Sequence, residues 1–288
     1  MSSNSASAAV GAGIIPSRDD FVPSIVFIVL YAPLIPLVIW RWLKRETRCT
    51  ALIEPSIFLA VRIASLGLRV HLSKHRPTAG IIAAESVLMT AATVLIAGSI
   101  IGQVRNLLKA WGPKPSNDGG PSAKLSPSQR ALANIALLMR LGLLASLAMS
   151  VYSGTQTSGA MHGETDKLAT LAKLRKGSSL VIFIVILLAL AAVALLNTRH
   201  GLPRRPTLFL GTTSTLLLVT AIYRVQSAFR ITASNTTTAL WCASIAPEYV
   251  VAVAILIVNL KTLVPEKPED KLAGGDAEMV GLASTDTR

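Results

Sequence analysis

Long apolar runs take up most of this 288-residue chain and leave few folds open to it. A helix needs about 20 mostly apolar residues to cross the roughly 30 Å hydrocarbon core of a bilayer. Segments that meet this requirement lie at residues 22–43, 51–70, 78–108, 129–152, 177–197, 207–229 and 239–264. The fifth reads GSSLVIFIVILLALAAVALLN and has no polar face, whereas a helix of a soluble bundle alternates apolar and polar faces. We therefore predict an all-α integral membrane protein, a bundle of seven transmembrane helices.

The charged residues indicate how the bundle is oriented. Only 15% of residues are charged, against about a quarter in an average soluble domain. The formal net charge is +13, and the bases stand in short loops beside the helix ends. This is the pattern of membrane orientation rather than of a nucleic-acid surface. The side that holds loops 1–2, 3–4 and 5–6 and the C-terminal tail carries more Lys and Arg. We predict an outside N-terminus and a cytosolic C-terminus, in the plasma membrane or another secretory-pathway membrane.

Three segments are too polar to bury a core of their own. They are a tail at 1–21, the 3–4 loop at 109–128 and a cytosolic tail at 265–288, and we expect all three to be flexible. The single folded domain is then 22–264. Residues 1–21 lack the pattern of a cleavable signal peptide, so the first helix is expected to act as a signal anchor. Asn235 begins an Asn-Thr-Thr triplet in the predicted outer 6–7 loop, which predicts a glycosylation site.

Six ionisable side chains fall inside the predicted spans. Each costs about 2.5–3.5 kcal/mol near the centre of a membrane helix, so a chain that keeps them must pair them, turn them inward or hydrate them. Three are acids and three are bases, so pairing leaves no net charge. The six are Glu54, Arg62, Glu85, Arg140, Arg224 and Glu248.

The depths of these charges predict a cavity. Counting 1.5 Å per helical residue puts Glu54 near the inner end of its helix and the other five from the midplane outward. We predict a polar cavity that opens to the outer face, walled by helices 2, 3, 4, 6 and 7. Tyr223 and Tyr249 lie at similar depths and are predicted to line it. In the alternative interpretation, the charges are buried ion pairs that only fix helix register.

Two spacings suggest further order in the bundle. Arg62 precedes Glu85 by 23 residues and Arg224 precedes Glu248 by 24, which favours a parallel repeat of helices 1–3 and 5–7 around helix 4. Gly98 and Gly102 form a GxxxG motif in helix 3, and we expect close helix packing there.

No pattern in the sequence indicates an enzyme. His71 and His75 have the i, i+4 spacing of helical metal ligands, but no cysteine or acid completes a set. The chain has no Ser-His-Asp arrangement, no P-loop and no dinucleotide-binding glycine pattern. We expect no catalytic residues, no metal and no cofactor.

Short motifs in three helices resemble known fungal membrane proteins. Tyr31-Ala32-Pro33, Leu59-Ala60-Val61-Arg62-Ile63 and Pro247-Glu248-Tyr249-Val250-Val251 resemble a fungal family of seven-pass proteins with no established function. Tyr223-Arg224-Val225 is more distantly similar to the RTA-like lipid-translocating exporters, with Ser227 where that family usually has a glutamate. The second resemblance implies lipid export and resistance to toxic amphiphiles.

These observations support three hypotheses about function. In the first, the protein is a transporter or translocator of a lipid or small amphiphile, and Arg62, Arg140 and Arg224 receive an anionic head group. Glu85 and Glu248 would then be counter-ions or proton carriers. In the second, the same cavity belongs to a ligand-sensing receptor. In the third, the protein is a structural membrane protein with buried ion pairs. Membrane lipids are its expected partners, and nucleic acid is not.

Overall fold

A computed structural model describes residues 18–44, 50–75, 78–111, 127–161, 164–200, 204–229 and 240–258. Within these ranges the chain is almost entirely helical and has no strand, which agrees with the predicted all-α class. We label the helices α1 (Phe21–Tyr31 continued by Leu34–Leu43), α2 (Ile53–Lys74), α3 (Ala79–Trp111), α4 (Pro127–Met161), α5 (Thr165–His200), α6 (Arg204–Phe229) and α7 (Trp241–Ile257).

Six of these helices, α1 to α6, are long and apolar enough to cross a membrane. Large apolar side chains cover the outside of the bundle, where Leu43, Leu138, Leu144 and Leu208 are all exposed. Such a surface is suited to hydrocarbon and not to water. The protein is therefore a multi-pass membrane protein. The last helix, α7, is apolar but shorter than the other six.

Several helix ends differ from the predicted segments. Residues 18–20, which we assigned to the flexible tail, form a 3₁₀ turn that leads into α1. The helices α4 and α5 extend well beyond the apolar segments, to Met161 and back to Thr165, whereas α7 ends at Ile257. Residues 166–176 are mostly Lys, Leu, Ala and Arg, which favour helix in water as well as in lipid. Hydropathy therefore marks where the bilayer ends, not where the helix ends.

Proline interrupts α1 near its middle. Regular helix runs over Phe21–Tyr31 and resumes over Leu34–Leu43, with Ala32 and Pro33 between. Pro33 has no N–H to donate to the carbonyl four residues earlier, and its ring crowds that carbonyl. The amide of Ile35 bonds instead to the carbonyl of Ala32, at 3.1 Å, so the helix restarts after one tight turn.

The centre of the bundle is α3. It contacts α2, α4, α5, α6 and α7, whereas α1 packs on α2 and α7 at one side. Its inward residues are almost fully buried, among them Ile82, Ala92, Ile96 and Ile100. A charged side chain on α3 can therefore meet partners from several other helices.

Small residues let α4 and α5 approach closely. A Cβ on Gly142 would lie 3.0 Å from Val185, and the hydroxyls of Ser146 and Ser178 are 2.8 Å apart. Small residues with interhelical hydrogen bonds are typical of helix pairs in membranes. This rigid pair forms the side of the bundle opposite α1.

A π-helical turn opens α7. Residues Trp241–Ile245 are π-helical, and the N–H of Ala246 bonds to the carbonyl of Trp241, five residues back. Pro247 follows and cannot donate a backbone hydrogen bond, so the ladder is shifted just before it. The carbonyl of Ser244 accepts a bond from Thr220 of α6 at 3.2 Å. The π-turn changes the rotation of the helix that follows it, so the side chain of Glu248, just after Pro247, lies inside the bundle.

Candidate functional site

Arg62 and Glu248 form an ion pair at the heart of the bundle. The pair joins Nη2 of Arg62 on α2 to Oε2 of Glu248 on α7, and both side chains are 0% exposed. Thr93 of α3 donates to the other carboxylate oxygen at 2.6 Å. The second guanidinium nitrogen, Nη1, faces the sulfur of Met89 at 2.9 Å. Three helices are thus joined at one buried charge pair.

Arg69 holds two carboxylates about two turns above Arg62 on α2. Its Nη1 lies 2.7 Å from Oε1 of Glu85, and its Nη2 lies 3.1 Å from Oδ2 of Asp20. The other oxygen of Asp20 accepts a bond from the indole N–H of Trp241 at 3.1 Å. Asp20 is buried, so the turn before α1 closes this end of the bundle over the charges.

Arg224 is held without a carboxylate. Its Nη2 donates to the backbone carbonyl of Met89 at 2.8 Å, and it forms no ion pair among the residues that the structure describes. It lies within electrostatic range of Arg62, Arg175 and Glu85. The hydroxyl of Ser227 donates back to the carbonyl of Arg224, at 2.9 Å. Met89 therefore stands between two arginines, one at its sulfur and one at its carbonyl.

We call this group of six charged side chains the central cluster. Its members come from the turn before α1 and from α2, α3, α6 and α7. They are Asp20, Arg62, Arg69, Glu85, Arg224 and Glu248.

Aromatic rings close the cluster on the α1 side. The ring of Tyr31 meets Tyr249 edge-on at 5.2 Å and Phe58 at 6.1 Å. Phe27 stacks on Trp241 at 5.4 Å. The hydroxyl of Tyr31 lies beside the guanidinium of Arg62. These rings separate the charges from the lipid that surrounds α1.

The cluster differs from the predicted cavity in its walls. The helix α4 contributes none of its charges, whereas α1 and its leading turn contribute Asp20 and Tyr31. Arg140 of α4 lies elsewhere: it meets Glu54 in the first turn of α2, so it is level with the end of that helix and not at mid-membrane or farther out as predicted. Tyr223 is half-buried within electrostatic range of Arg175 and Arg224, and Tyr249 packs on Tyr31.

The pair of Arg62 and Glu248 is sealed, whereas Arg69 and Arg224 are partly exposed. Arg62 and Glu248 have no exposed surface, so the predicted opening to the outer face is absent around these two described residues. Two of the cavities among the described residues have apolar walls. One is small and lies among α3, α5 and α6, and the other is an open groove of about 480 Å³ between α3 and α4.

A second charge pair lies over the GxxxG motif. Oε1 of Glu54 and Nη2 of Arg140 are 3.8 Å apart, and the two side chains are 36% and 40% exposed. A Cβ on Gly98 would lie 3.5 Å from the Glu54 carboxylate, and one on Gly102 would lie 3.6 Å from the Arg140 guanidinium. The glycines therefore make room for side chains of α2 and α4, and the close helix packing expected at this motif stays a prediction.

Some charged side chains with partners inside the bundle were not identified from the sequence. Asp20 and Arg69 fell in segments treated as a tail and a helix end, although Asp20 directly precedes the first apolar run. Arg41 was also missed. It is buried and donates to the carbonyls of Leu256 and Val258, at 2.5 and 2.9 Å, and so caps the last turn of α7. Asn235 lies outside the described residues.

The chemistry available to the cluster is ionic recognition. Three arginine Nε–H groups are buried without a hydrogen-bond acceptor among the described residues, on Arg62, Arg69 and Arg224. No group of three or more His, Cys, Asp and Glu within the described part of the chain has the arrangement of a metal site.

Comparison with known proteins does not identify a family for this chain. No protein-family model, no curated protein and no solved structure matches the chain. The resemblance to fungal seven-pass proteins and to lipid-translocating exporters therefore stays a prediction.

Proposed function

We propose that this protein transports or translocates an anionic lipid or small amphiphile, whose charged group binds at the central cluster. The observation that carries the proposal is the set of buried arginine N–H groups without acceptors. Buried donors in native proteins nearly always have a partner, whether protein, water or ligand. An unmatched guanidinium inside a bilayer is costlier still, because hydrocarbon supplies no acceptor.

Arg224 is the residue through which an anion would bind. Arg69 pairs with Asp20 and Glu85, and Arg62 pairs with Glu248. All three carboxylates of the cluster are therefore already in ion pairs. Among the described residues, the Arg224 side chain donates only to a backbone carbonyl. A phosphate, sulfate or carboxylate there would form a charge-assisted hydrogen bond and offset the like charges of Arg62 and Arg175.

For an anion to pass from the partly exposed Arg224 to the buried Arg62 and Glu248, helices must move. The break in α1 at Ala32 and Pro33 and the π-turn of α7 lie beside the aromatic rings that cover the cluster. Interrupted helices are the usual places where membrane helices bend. Bending at these two points would separate α1 from α7 and open a path to Arg62 and Glu248.

The complete burial of Arg62 and Glu248 favours the structural alternative, in which sealed ion pairs only fix the packing of α2, α3 and α7. The two functions differ in what they predict for Arg224. If the cluster is purely structural, a change of Arg224 lowers the stability of the protein, and neither the wild type nor the variant shows any flux. The receptor hypothesis has no described contact in its favour.

The proposal is tested by flux into proteoliposomes. The full chain is reconstituted, and transfer of labelled anionic phospholipids and of an anionic single-chain amphiphile is compared with protein-free vesicles. We expect Arg224→Gln to reduce flux at least about tenfold, the loss of one charge-assisted hydrogen bond. Arg105→Gln is the matched control, since Arg105 is exposed on α3. No flux in the wild type, or equal flux in Arg224→Gln, would overturn the proposal.

We also propose that α7 is a seventh crossing. Asp20 and Trp241 are bonded at one end of α1 and α7, and Arg41 bonds to Leu256 at the other end. The two helices are therefore parallel, and α7 is matched at both ends to a helix long enough to span. The charge distribution supports an outside N-terminus, with α1 and α7 running inward. The parallel repeat stays a prediction.

A further inference from the structure

The pair of Glu54 and Arg140 differs from the central cluster in lacking hydrogen bonds. Neither side chain has a hydrogen-bond partner among the described residues, and their closest approach is 3.8 Å. Both are more than a third exposed, on helices that cross the membrane. At the edge of a bilayer, such a carboxylate can accept hydrogen bonds from a lipid head group, and such a guanidinium can donate them.

An apolar track leads from this pair along α3. Residues spaced by three and four on one helix form a single stripe, and the α3 stripe toward the pair is made of small or apolar residues. The stripe consists of Ala84, Leu88, Ala91, Leu95, Gly98 and Gly102. Its far end joins the open groove of about 480 Å³, which Val87, Val151 and Gly154 also line. Its residues range from exposed at Ala84 to buried at Gly98, where the Glu54 carboxylate lies over the helix, so the track is a partly exposed seam beside side chains of α2 and α4.

We infer that the track is a binding site for one zwitterionic phospholipid with a primary ammonium head group, of the phosphatidylethanolamine type. Arg140 binds the phosphate, Glu54 accepts hydrogen bonds from the ammonium, and one acyl chain lies along the α3 stripe into the groove. The head group is in the leaflet at which α2 begins. Binding of this lipid does not depend on whether the protein moves any solute.

Charge complementarity selects this occupant over other lipids. A base and an acid side by side match a head group that carries both a phosphate and an ammonium. An anionic lipid would satisfy Arg140 but would bring a second negative charge to Glu54. A choline head group carries the same charges but has no N–H to donate, so Glu54 would gain no hydrogen bond from it.

Lipid retention by the full-length protein tests the inference. The protein is purified in detergent, and native mass spectrometry measures the fraction that keeps one added lipid. Phosphatidylethanolamine, phosphatidylcholine and phosphatidylglycerol with the same acyl chains are compared. We expect the wild type to retain phosphatidylethanolamine best. Arg140→Gln should weaken retention of both zwitterionic lipids about tenfold, and Glu54→Gln should bring phosphatidylethanolamine down to the level of phosphatidylcholine.

Further variants and a soluble head group separate the alternatives. Arg204→Gln removes an exposed charge at the start of α6, which does not line the track, and should change nothing. Gly102→Leu removes no charge but fills the space beneath Arg140, and it should lower retention even if Arg140→Gln fails to fold. Equal retention of the three lipids by wild type and by the variants would overturn the inference, as would equally tight binding of phosphoethanolamine alone. Neither result bears on the flux assay, so this inference and the proposed transport can fail separately.

Discussion

Arg62 shows what keeps one guanidinium in the middle of a membrane bundle. It has a carboxylate on one nitrogen, a sulfur on another and the Phe58 ring 5.7 Å from its central carbon. Each contact requires the helix that carries the partner to be rotated so that this side chain faces Arg62. Removing one partner therefore leaves the other charge buried and unpaired, which is where the cost of such a pair lies.

Arg62→Gln and Glu248→Gln should each lower the free energy of unfolding by about 3–5 kcal/mol. The double variant leaves no lone charge and should cost less than the sum of the two single changes. Denaturant unfolding in detergent measures this cycle, with Arg105→Gln expected within about 0.5 kcal/mol of wild type. Strictly additive losses would mean that the two side chains are not coupled.

Gly98 provides a second test at this scale. A methyl group there would make ordinary contact with the Glu54 carboxylate, at 3.5 Å, so Gly98→Ala should leave stability nearly unchanged. Gly98→Leu overlaps the carboxylate and should destabilise by about 1–3 kcal/mol, the usual range for overpacking. Thermal unfolding of the two variants measures the difference, and equal effects would show that Glu54 does not cover this glycine.

At the scale of the element, apolar length predicts the helices well, because a run of 20 apolar residues has few other ways to satisfy its backbone in lipid. Charge partners are less predictable, since they depend on how each helix is rotated. The sequence spacing relates Arg62 to Glu85, yet Arg62 pairs with Glu248 and Glu85 pairs with Arg69. The π-turn before Pro247 changes the rotation of α7 and so affects which charges pair. A prediction that assumes a regular helix misses this change.

Arg41 tests how an element is held at its end. Its guanidinium bonds to the last carbonyls of α7, which have no partner within their own helix. Arg41→Gln should open this turn, and the amide of Val258 should exchange with solvent about tenfold faster or more, as expected for losing bonds to a charged group. Hydrogen exchange measures it, and Arg18→Gln, at the other end of α1, is the control. Unchanged exchange in Arg41→Gln would contradict the capping role.

At the scale of the whole molecule, the number of crossings decides where the two ends of the chain lie. Seven crossings put the termini on opposite sides of the membrane, and six put them on the same side. We expect tags at the N- and C-termini of the full chain to show opposite accessibility to protease in sealed vesicles. Tags digested together would mean that α7 does not cross, and the matched ends of α1 and α7 would need another explanation.

The bonds between α1 and α7 join the two extremes of the helical order. Trp241 donates a hydrogen bond to Asp20, and Arg41 donates one to the carbonyl of Leu256, in each case across more than two hundred intervening residues. During translation the first helix enters the membrane long before the partners that secure it exist. The two hydrogen bonds that join α1 to α7 can form only once the final helix has been made, so a product truncated before α7 lacks both of them and offers quality control an α1 surface without its cover.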